Sequence, residues 1–156
     1  MNLIPLIVLA LTTAGICAAE PVHTKAAEPL RISHGETVEL TDYLVPGKTT
    51  IFDFSSQYCP PCRAYEEPLA KLHAKRDDVA IVKVDINRPD VKRIDWQSPV
   101  ARQYDLHSIP HFKVFGPDGK LRAEDKVVIK DHKLDEAASS EAAREIVDAL
   151  IKESAG

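Results

Sequence analysis

The sequence predicts a single α/β domain whose central mixed β-sheet is covered by helices on both faces. Apolar residues make up 44% and charged residues 28% of the 156 residues, a balance typical of one packed soluble core. Strand-like segments first alternate with helical ones, and a hairpin and a final helix follow, which gives the order β-β-α-β-α-β-β-α. Strands joined through helices, together with one hairpin, produce a mixed sheet of this kind.

Residues 1–19 are predicted to be a secretory signal. The stretch from Leu3 to Ile16 is apolar and uncharged, and the small residues Ala18 and Ala19 follow it. This run is shorter than the ~20 residues that a comfortable membrane span requires. We therefore expect an exported, periplasmic protein that is cleaved after Ala19.

Two alternatives would tether the protein to a membrane: an uncleaved signal, or a lipid attached to Cys17. The residue before Cys17 is Ile16, whereas a lipoprotein signal has a small residue there, so the cleaved signal is favoured. Residues 20–34 show no hydrophobic periodicity and predict a flexible linker. This assignment leaves residues 35–154 for the folded domain.

The elements of the domain follow from residue patterns in chain order. Residues 37–40 alternate polar and apolar side chains and predict a short first strand, and the β-branched and aromatic run 49–54 predicts a buried second strand. Apolar residues at helical spacing predict a helix from the cysteine pair to Arg76, with a kink at Pro68. The remaining predicted elements are strand 79–86, a polar connection 87–98, a short helix 99–104, a hairpin of strands 112–115 and 121–129, and a last helix that begins near Ser139 or Ser140.

Cys59 and Cys62 form a Cys-Pro-Pro-Cys sequence at a predicted strand-to-helix junction. A spacing of two residues lets the sulfur atoms meet across one helical turn. The first thiol then lies at the helix start, where the helix dipole and unpaired N–H groups favour a thiolate. The spacing therefore predicts a redox-active pair in which Cys59 attacks and Cys62 resolves. Pro60 and Pro61 stiffen the turn but have no N–H to donate.

A zinc site and a purely structural disulfide are the alternatives for this pair. Zinc requires four ligands, and no third cysteine of the predicted mature chain and no histidine pair at a recognised spacing accompanies the two cysteines. A structural disulfide here would close only a tiny loop and would restrain little of the unfolded chain. We therefore expect no metal, and no cofactor other than the Cys59–Cys62 disulfide. The net charge of −4 argues against nucleic acid as a partner.

The run T-I-F-D-F-S-S-Q-Y-C-P-P-C, the dipeptide Ile109-Pro110 and the final hairpin and helix resemble the thioredoxin family over residues 37–152. The resemblance implies a thioredoxin fold and thiol–disulfide exchange. It also implies that Asp53 is a buried carboxylate that accepts a proton from Cys62, and that Lys83 lies near this carboxylate. Burial would raise the pKa of such a carboxylate and suit it to that role.

The same resemblance implies a substrate-binding surface around the cysteine pair. Pro110 matches a cis-proline that faces the cysteines, and its bend would direct the backbone of Ile109 toward an extended substrate segment. Tyr58 occupies the position of the tryptophan that usually precedes the first cysteine in this family. The predicted substrate-binding residues are Tyr58, Pro60, Pro61, Ile109 and Pro110.

These features predict a monomeric reductase that acts on disulfides of exported proteins and receives its electrons from a membrane partner. Ile109 before the proline and the Asp53–Lys83 pair resemble thioredoxin itself, which favours reduction. A disulfide oxidase or isomerase is the first alternative, and a thioredoxin-fold binding or chaperone module is the second. The connection 87–98 is longer than in thioredoxin, and Trp96 and His111 are candidates for the border of a partner surface.

Overall fold

The computed structural model describes residues 24–156; the predicted signal 1–19, Cys17 and the first residues of the predicted linker lie outside the described residues. The main sheet has five strands in the order β1-β3-β2-β4-β5. β1 and β2 run parallel to β3, whereas β4 runs antiparallel to both β2 and β5, so the sheet is mixed. The strands are β1 Leu30–Ile32, β2 Thr49–Ser55, β3 Val79–Asp85, β4 His111–Phe115 and β5 Leu121–Glu124.

Helices cover both faces of this sheet, as predicted. They are α1 Pro60–Lys75, α2 Pro99–Gln103, α3 Ala142–Ala155 and a 3-10 helix Leu40–Tyr43. α1 and α3 pack on one face, while α2 and the 3-10 helix pack on the other. Within residues 24–156, no helix combines the length and the apolar character that crossing a bilayer would require.

Side chains of β2 point alternately to the two faces of the sheet, and this explains why two separate cores meet at one strand. Successive side chains of a strand point to opposite faces, so Phe52 and Phe54 join the core beneath α2, whereas Ile51 joins the core beneath α1 and α3. Asp53 shares the face of Ile51 by the same periodicity. A strand that is covered on both sides has no solvent face, which accounts for the nearly continuous apolar run of β2.

The N-terminal boundary of the domain differs from the prediction. β1 lies inside the predicted linker 20–34, and its three residues pair in parallel with Val82–Val84 of β3. Ile32 is only 6% exposed and belongs to the core beneath α2. Three residues are too few to display a period of two, so the sequence pattern carried no signal for this strand.

The predicted strand over residues 37–40 is wrong. This segment leads into the 3-10 helix, and Val38 and Leu40 both face the core. The Gln103 side-chain amide of α2 accepts a hydrogen bond from the Val38 N–H at 2.9 Å and donates one to the Val38 carbonyl oxygen at 2.9 Å. The side chain of Gln103 therefore binds the backbone groups that a neighbouring strand would otherwise pair. The alternating pattern of residues 37–40 reflects the burial of Val38 and Leu40, which here occurs outside a sheet.

Two C-terminal predictions also need correction. The second hairpin strand ends at Glu124 instead of residue 129, and a separate small hairpin follows, with β6 Ile129–Lys130 and β7 Lys133–Leu134. α3 begins at Ala142 and has no side-chain cap at Glu141; the Ser140 hydroxyl accepts the Ala142 N–H one residue earlier in the chain. The other predicted strands and helices are confirmed to within one or two residues, and Pro68 lies inside α1.

Replacement of Ile32 by alanine tests whether β1 is structural. We expect Ile32→Ala to lower the free energy of unfolding by about 2–5 kcal/mol, because it leaves a cavity in a packed core. Leu30→Ala is the matched control in the same strand, since Leu30 is 44% exposed, and it should cost about 1 kcal/mol or less. Urea denaturation measures both. If both variants lose a negligible free energy of unfolding, residues 30–32 are a linker.

Candidate active site

Cys59 and Cys62 are joined by a disulfide at the N-terminus of α1. Cys59 is the N-cap residue of the helix, and its Sγ accepts the Cys62 N–H at 3.2 Å. The turn that leads to the helix is closed by the Cys59 N–H, which donates to the Ser56 carbonyl oxygen at 3.0 Å. Both cysteines are only 2% exposed. The disulfide is therefore held in a formed helix start and is shielded from water.

The helix start offers the first cysteine little stabilisation as a thiolate. Pro60 and Pro61 occupy the first two helical positions and have no N–H, so the Cys62 N–H is the backbone donor at the sulfur. The carbonyl oxygen of Ile109 lies 3.7 Å from the Cys59 Sγ. This oxygen carries partial negative charge and disfavours a second negative charge beside it.

Asp53 is buried on the sheet face that α1 covers. It pairs in register with Lys83 on β3, and the alternation of both strands places the two side chains on the same face. Burial raises the pKa of Asp53 to about 7, while the positive charges of Lys83 and Arg31 oppose that rise. One carboxylate oxygen, Oδ1, has no hydrogen-bond partner among the described residues. The group can therefore gain or lose a proton near neutral pH.

The loop before β4 brings Ile109 and Pro110 to the cysteines. The Ile109–Pro110 peptide bond is cis, the geometry that the family resemblance implies. The loop is held from two sides by groups that the sequence analysis did not identify. Arg144 of α3 donates from Nη2 to the Pro110 carbonyl oxygen at 2.8 Å, and Asp125 accepts the Phe112 N–H at 2.9 Å.

Asp125 also ties this loop to the last helix. Its second carboxylate oxygen accepts the Arg144 N–H at 2.9 Å, so one side chain bridges β4 and the start of α3. Nothing in the local sequence pattern distinguishes Asp125 and Arg144 from surface charges. Only the return of α3 onto β4 reveals their role, since it is a contact between distant parts of the sequence.

His111 follows the cis-proline and points into the protein. Its ring packs edge-on against Phe54, with the ring centroids 5.6 Å apart. Nε2 is buried and has no hydrogen-bond partner within residues 24–156. Burial lowers the pKa of His111 to about 4, and the nearby Lys113 acts in the same direction. The imidazole is therefore neutral at pH 7 and does not form the exposed border of a partner surface.

Tyr58 and the connection 87–98 lie next to each other at the same end of the sheet. Ser56 joins them: its hydroxyl donates to the Asn87 Oδ1 at 2.5 Å and accepts the Tyr58 N–H at 3.1 Å. Ser56 and Asn87 are both buried and were not identified from the sequence. Trp96 is 37% exposed and lines a groove with Tyr58.

The structure thus brings the Ile109–Pro110 loop to the cysteine pair, and Lys83 acts on Asp53 through its charge. In the part of the chain that the structure describes, no cluster of three or more His, Cys, Asp or Glu side chains is arranged to hold a metal ion. What the arrangement offers chemically is a disulfide at the start of α1 and a titratable carboxyl group buried on the sheet face that α1 covers.

Comparison with known proteins identifies similar sequences and structures. A family model described as Thioredoxin matches residues 36–140. The chain is 33% identical over 81 residues to Thioredoxin H-type of Brassica campestris, and it spans 57% of that relative and 52% of itself. It is 30% identical over 108 residues to Thioredoxin H5 of Oryza sativa subsp. japonica, with 73% of that relative and 63% of this chain covered.

Solved structures include similar folds. A mutant thioredoxin from Halobacterium salinarum NRC-1 aligns with a TM-score of 0.49 at 20% identity, covering 83% of this chain and 96% of the other.

The chain spans little more than half the length of the first sequence relative, Thioredoxin H-type of Brassica campestris.

The raised pKa of Asp53 predicts a specific pH dependence of stability. Between about pH 4 and 7 the unfolded chain has released this proton and the folded chain retains it, so the free energy of unfolding falls as pH rises through this window. The loss is on the order of 4 kcal/mol, since each pH unit is worth about 1.4 kcal/mol. Asp53→Asn should remove it and be the more stable protein at pH 7.

Urea denaturation between pH 4 and 8 measures this effect. His111 titrates in the same range but is present in both proteins, so its contribution cancels in the difference. Asp90→Asn, at an exposed aspartate, is the matched control and should follow the unmodified protein. Parallel pH profiles for Asp53→Asn and the unmodified protein would show that the carboxyl group is charged in the fold.

Proposed function

Since the chain belongs to the thioredoxin family, we propose that it is an exported thiol–disulfide oxidoreductase that reduces disulfides of exported proteins. The observation that carries the proposal is the Cys59–Cys62 disulfide at the start of α1, beside the cis-proline loop, in a fold that also buries the titratable Asp53 beneath α1. Export rests on the signal pattern of residues 1–19. Residues 20 onward would then form the mature protein, with no membrane anchor on Cys17.

The proposed reaction begins with the reduced protein. The Cys59 thiolate attacks one sulfur of a substrate disulfide, which forms a mixed disulfide and releases the other substrate sulfur as a thiolate that takes up a proton. Cys62 then loses its proton to Asp53 and attacks the Cys59 sulfur. This step breaks the mixed disulfide, releases the second substrate thiol and leaves the Cys59–Cys62 disulfide. Two electrons pass to the substrate.

Asp53 suits the second step because its pKa of about 7 allows it to accept a proton and return it near neutral pH. Lys83, in register on β3, adds a positive charge that keeps this pKa from rising further. The cycle is completed when another dithiol reduces the Cys59–Cys62 disulfide. We propose that a membrane protein supplies these electrons, since an exported protein is separated from cytoplasmic reductants.

The substrate would lie across the cysteine turn and the cis-proline loop. The backbone of Ile109 would pair with an extended segment of the substrate, and Pro110 would keep that backbone turned toward the sulfur. Tyr58, Pro60 and Pro61 would form the opposite side of this contact.

Reduction is favoured over oxidation by the weak support for a thiolate at Cys59. A protein that strongly stabilises the thiolate also stabilises its own reduced form, and is therefore an oxidant. Here two of the first three helical positions have no N–H, and the Ile109 carbonyl oxygen lies 3.7 Å from the sulfur. Both features limit that stabilisation.

A trapping experiment tests the proposed exchange. In a chain beginning at Glu20, Cys62→Ser should accumulate a mixed disulfide between Cys59 and a peptide disulfide, because no second thiol resolves it. Mass spectrometry under non-reducing conditions detects the adduct. The matched variant Cys59→Ser should form far less of it, since Cys62 is the inner thiol. No adduct, and no reduction by the unmodified protein, would leave only a binding module.

The redox potential tests the direction of electron flow. Family potentials range from about −270 mV for thioredoxin to about −120 mV for the oxidant DsbA. We expect a value of about −200 mV or lower, because the thiolate of Cys59 is weakly stabilised. Equilibration with a glutathione or dithiothreitol buffer measures it. A value at the DsbA end of the range would identify an oxidase.

A further inference from the structure

The connection between β3 and α2 forms one wall of a groove beside the cysteine turn. The groove has a volume of about 830 Å³ and is lined by residues 88 and 91–97 together with Tyr58, the residue directly before Cys59. Two aromatic side chains, Tyr58 and Trp96, contribute to its lining, and Trp96 is substantially exposed. Partly exposed aromatic rings are enriched at protein contact surfaces.

The lining of the groove carries three cations, Arg88, Lys92 and Arg93, and one carboxylate, Asp95. Arg88 is neutralised by the buried Asp95, whose carboxylate accepts from the Arg88 Nε at 2.7 Å. Lys92 and Arg93 are exposed, and neither forms an ion pair with any residue from 24 to 156. Asp90 belongs to the same segment but does not line the groove. Two unneutralised cations therefore border the groove in a chain whose net charge is −4.

Buried polar contacts hold this wall in place. Asn87 donates from Nδ2 to the carbonyl oxygens of Val91 at 3.1 Å and Arg93 at 2.6 Å, which fixes the turn that presents the two cations. The Oδ1 of Asn87 accepts from Ser56, and Ser56 accepts from the Tyr58 N–H. The groove and the turn that carries Cys59 are thus one hydrogen-bonded unit. A partner that binds the groove is positioned relative to the reactive sulfur.

We propose that residues 88 and 91–97, together with Tyr58, form a docking groove for an acidic segment next to the disulfide of the partner protein. An apolar or aromatic side chain of that segment contacts Tyr58 and Trp96, and its carboxylates face Lys92 and Arg93. Opposite charges at the rim of a contact mainly accelerate association and select among partners. The inference rests on the proposed exchange reaction. It adds that disulfides next to an acidic segment react fastest.

Three synthetic peptides test this inference. Each contains one cysteine in a disulfide with 2-mercaptoethanol and one tryptophan, flanked by Glu-Glu, Gln-Gln or Lys-Lys. We expect the reduced protein to react with the acidic peptide about five- to tenfold faster than with the neutral one at low salt, as electrostatic steering allows. The advantage should shrink as salt is added, because exposed charges are screened. Stopped-flow fluorescence measures the second-order rate constants.

The double variant Lys92→Gln/Arg93→Gln should reduce this preference to about twofold or less, since it removes both cations. Lys130→Gln/Lys133→Gln is the matched control: it makes the same change in net charge on the exposed β6–β7 hairpin and should retain the preference. Circular dichroism confirms that both variants are folded.

The outcomes separate the two proposals. If the unmodified protein does not reduce the neutral peptide, the exchange reaction itself is wrong. If it reduces all three peptides at equal rates, or if the acidic preference persists in Lys92→Gln/Arg93→Gln, the docking groove is overturned and the exchange reaction stands.

Discussion

Strand β2 is hydrogen-bonded to β3 along one edge and to β4 along the other, and this double pairing determines where the reactive groups lie. The end of β2 at Ser55 is the point from which the chain turns into the cysteine pair. β3 ends at the same end of the sheet as β2 and continues into the connection that forms the groove. β4 begins there at His111, opposite Phe54, so the cis-proline loop arrives beside the turn. Three separate segments therefore meet at one end of the central strand.

Burial leaves two titratable groups of the interior, Asp53 and His111, with little charge near neutral pH. Burial raises the pKa of Asp53 to about 7 and lowers the pKa of His111 to about 4, so near neutral pH the imidazole is uncharged and the carboxyl group is partly protonated. Both effects have the same origin, since a low-dielectric interior disfavours any charged form. The fold maintains these groups at a cost in stability, which is typical of functional positions.

Local pattern predicted the parts of the fold that local physics determines. The apolar run of β2, the helix after the cysteines and the strand at β3 have periods or compositions that a short window displays. β1 gives no sequence signal, because three residues show no period. The segment around Val38 alternates polar and apolar side chains like a strand, but the side chain of Gln103 binds its backbone in place of a neighbouring strand. Both errors arise where a distant partner decides the local conformation.

The site divides in the same way. The cysteine pair, Asp53, Lys83 and Pro110 were identified because spacing and family resemblance mark them. Ser56, Asn87, Asp125 and Arg144 have no such mark, because each acts through hydrogen bonds to groups that are distant in the sequence. A buried serine or an arginine in a helix has no sequence signature for such contacts.

The contact between Arg144 and the Pro110 carbonyl oxygen has a consequence for the protein during its synthesis. Synthesis proceeds from the N-terminus, so the two cysteines emerge about 80 residues before Arg144 does. Until α3 has been made and has docked, the loop opposite the sulfurs lacks one of its two supports, and the thiols belong to a chain without a finished site. An incomplete chain that ends before α3 therefore has its two cysteines but lacks the Arg144 contact to the loop that faces them.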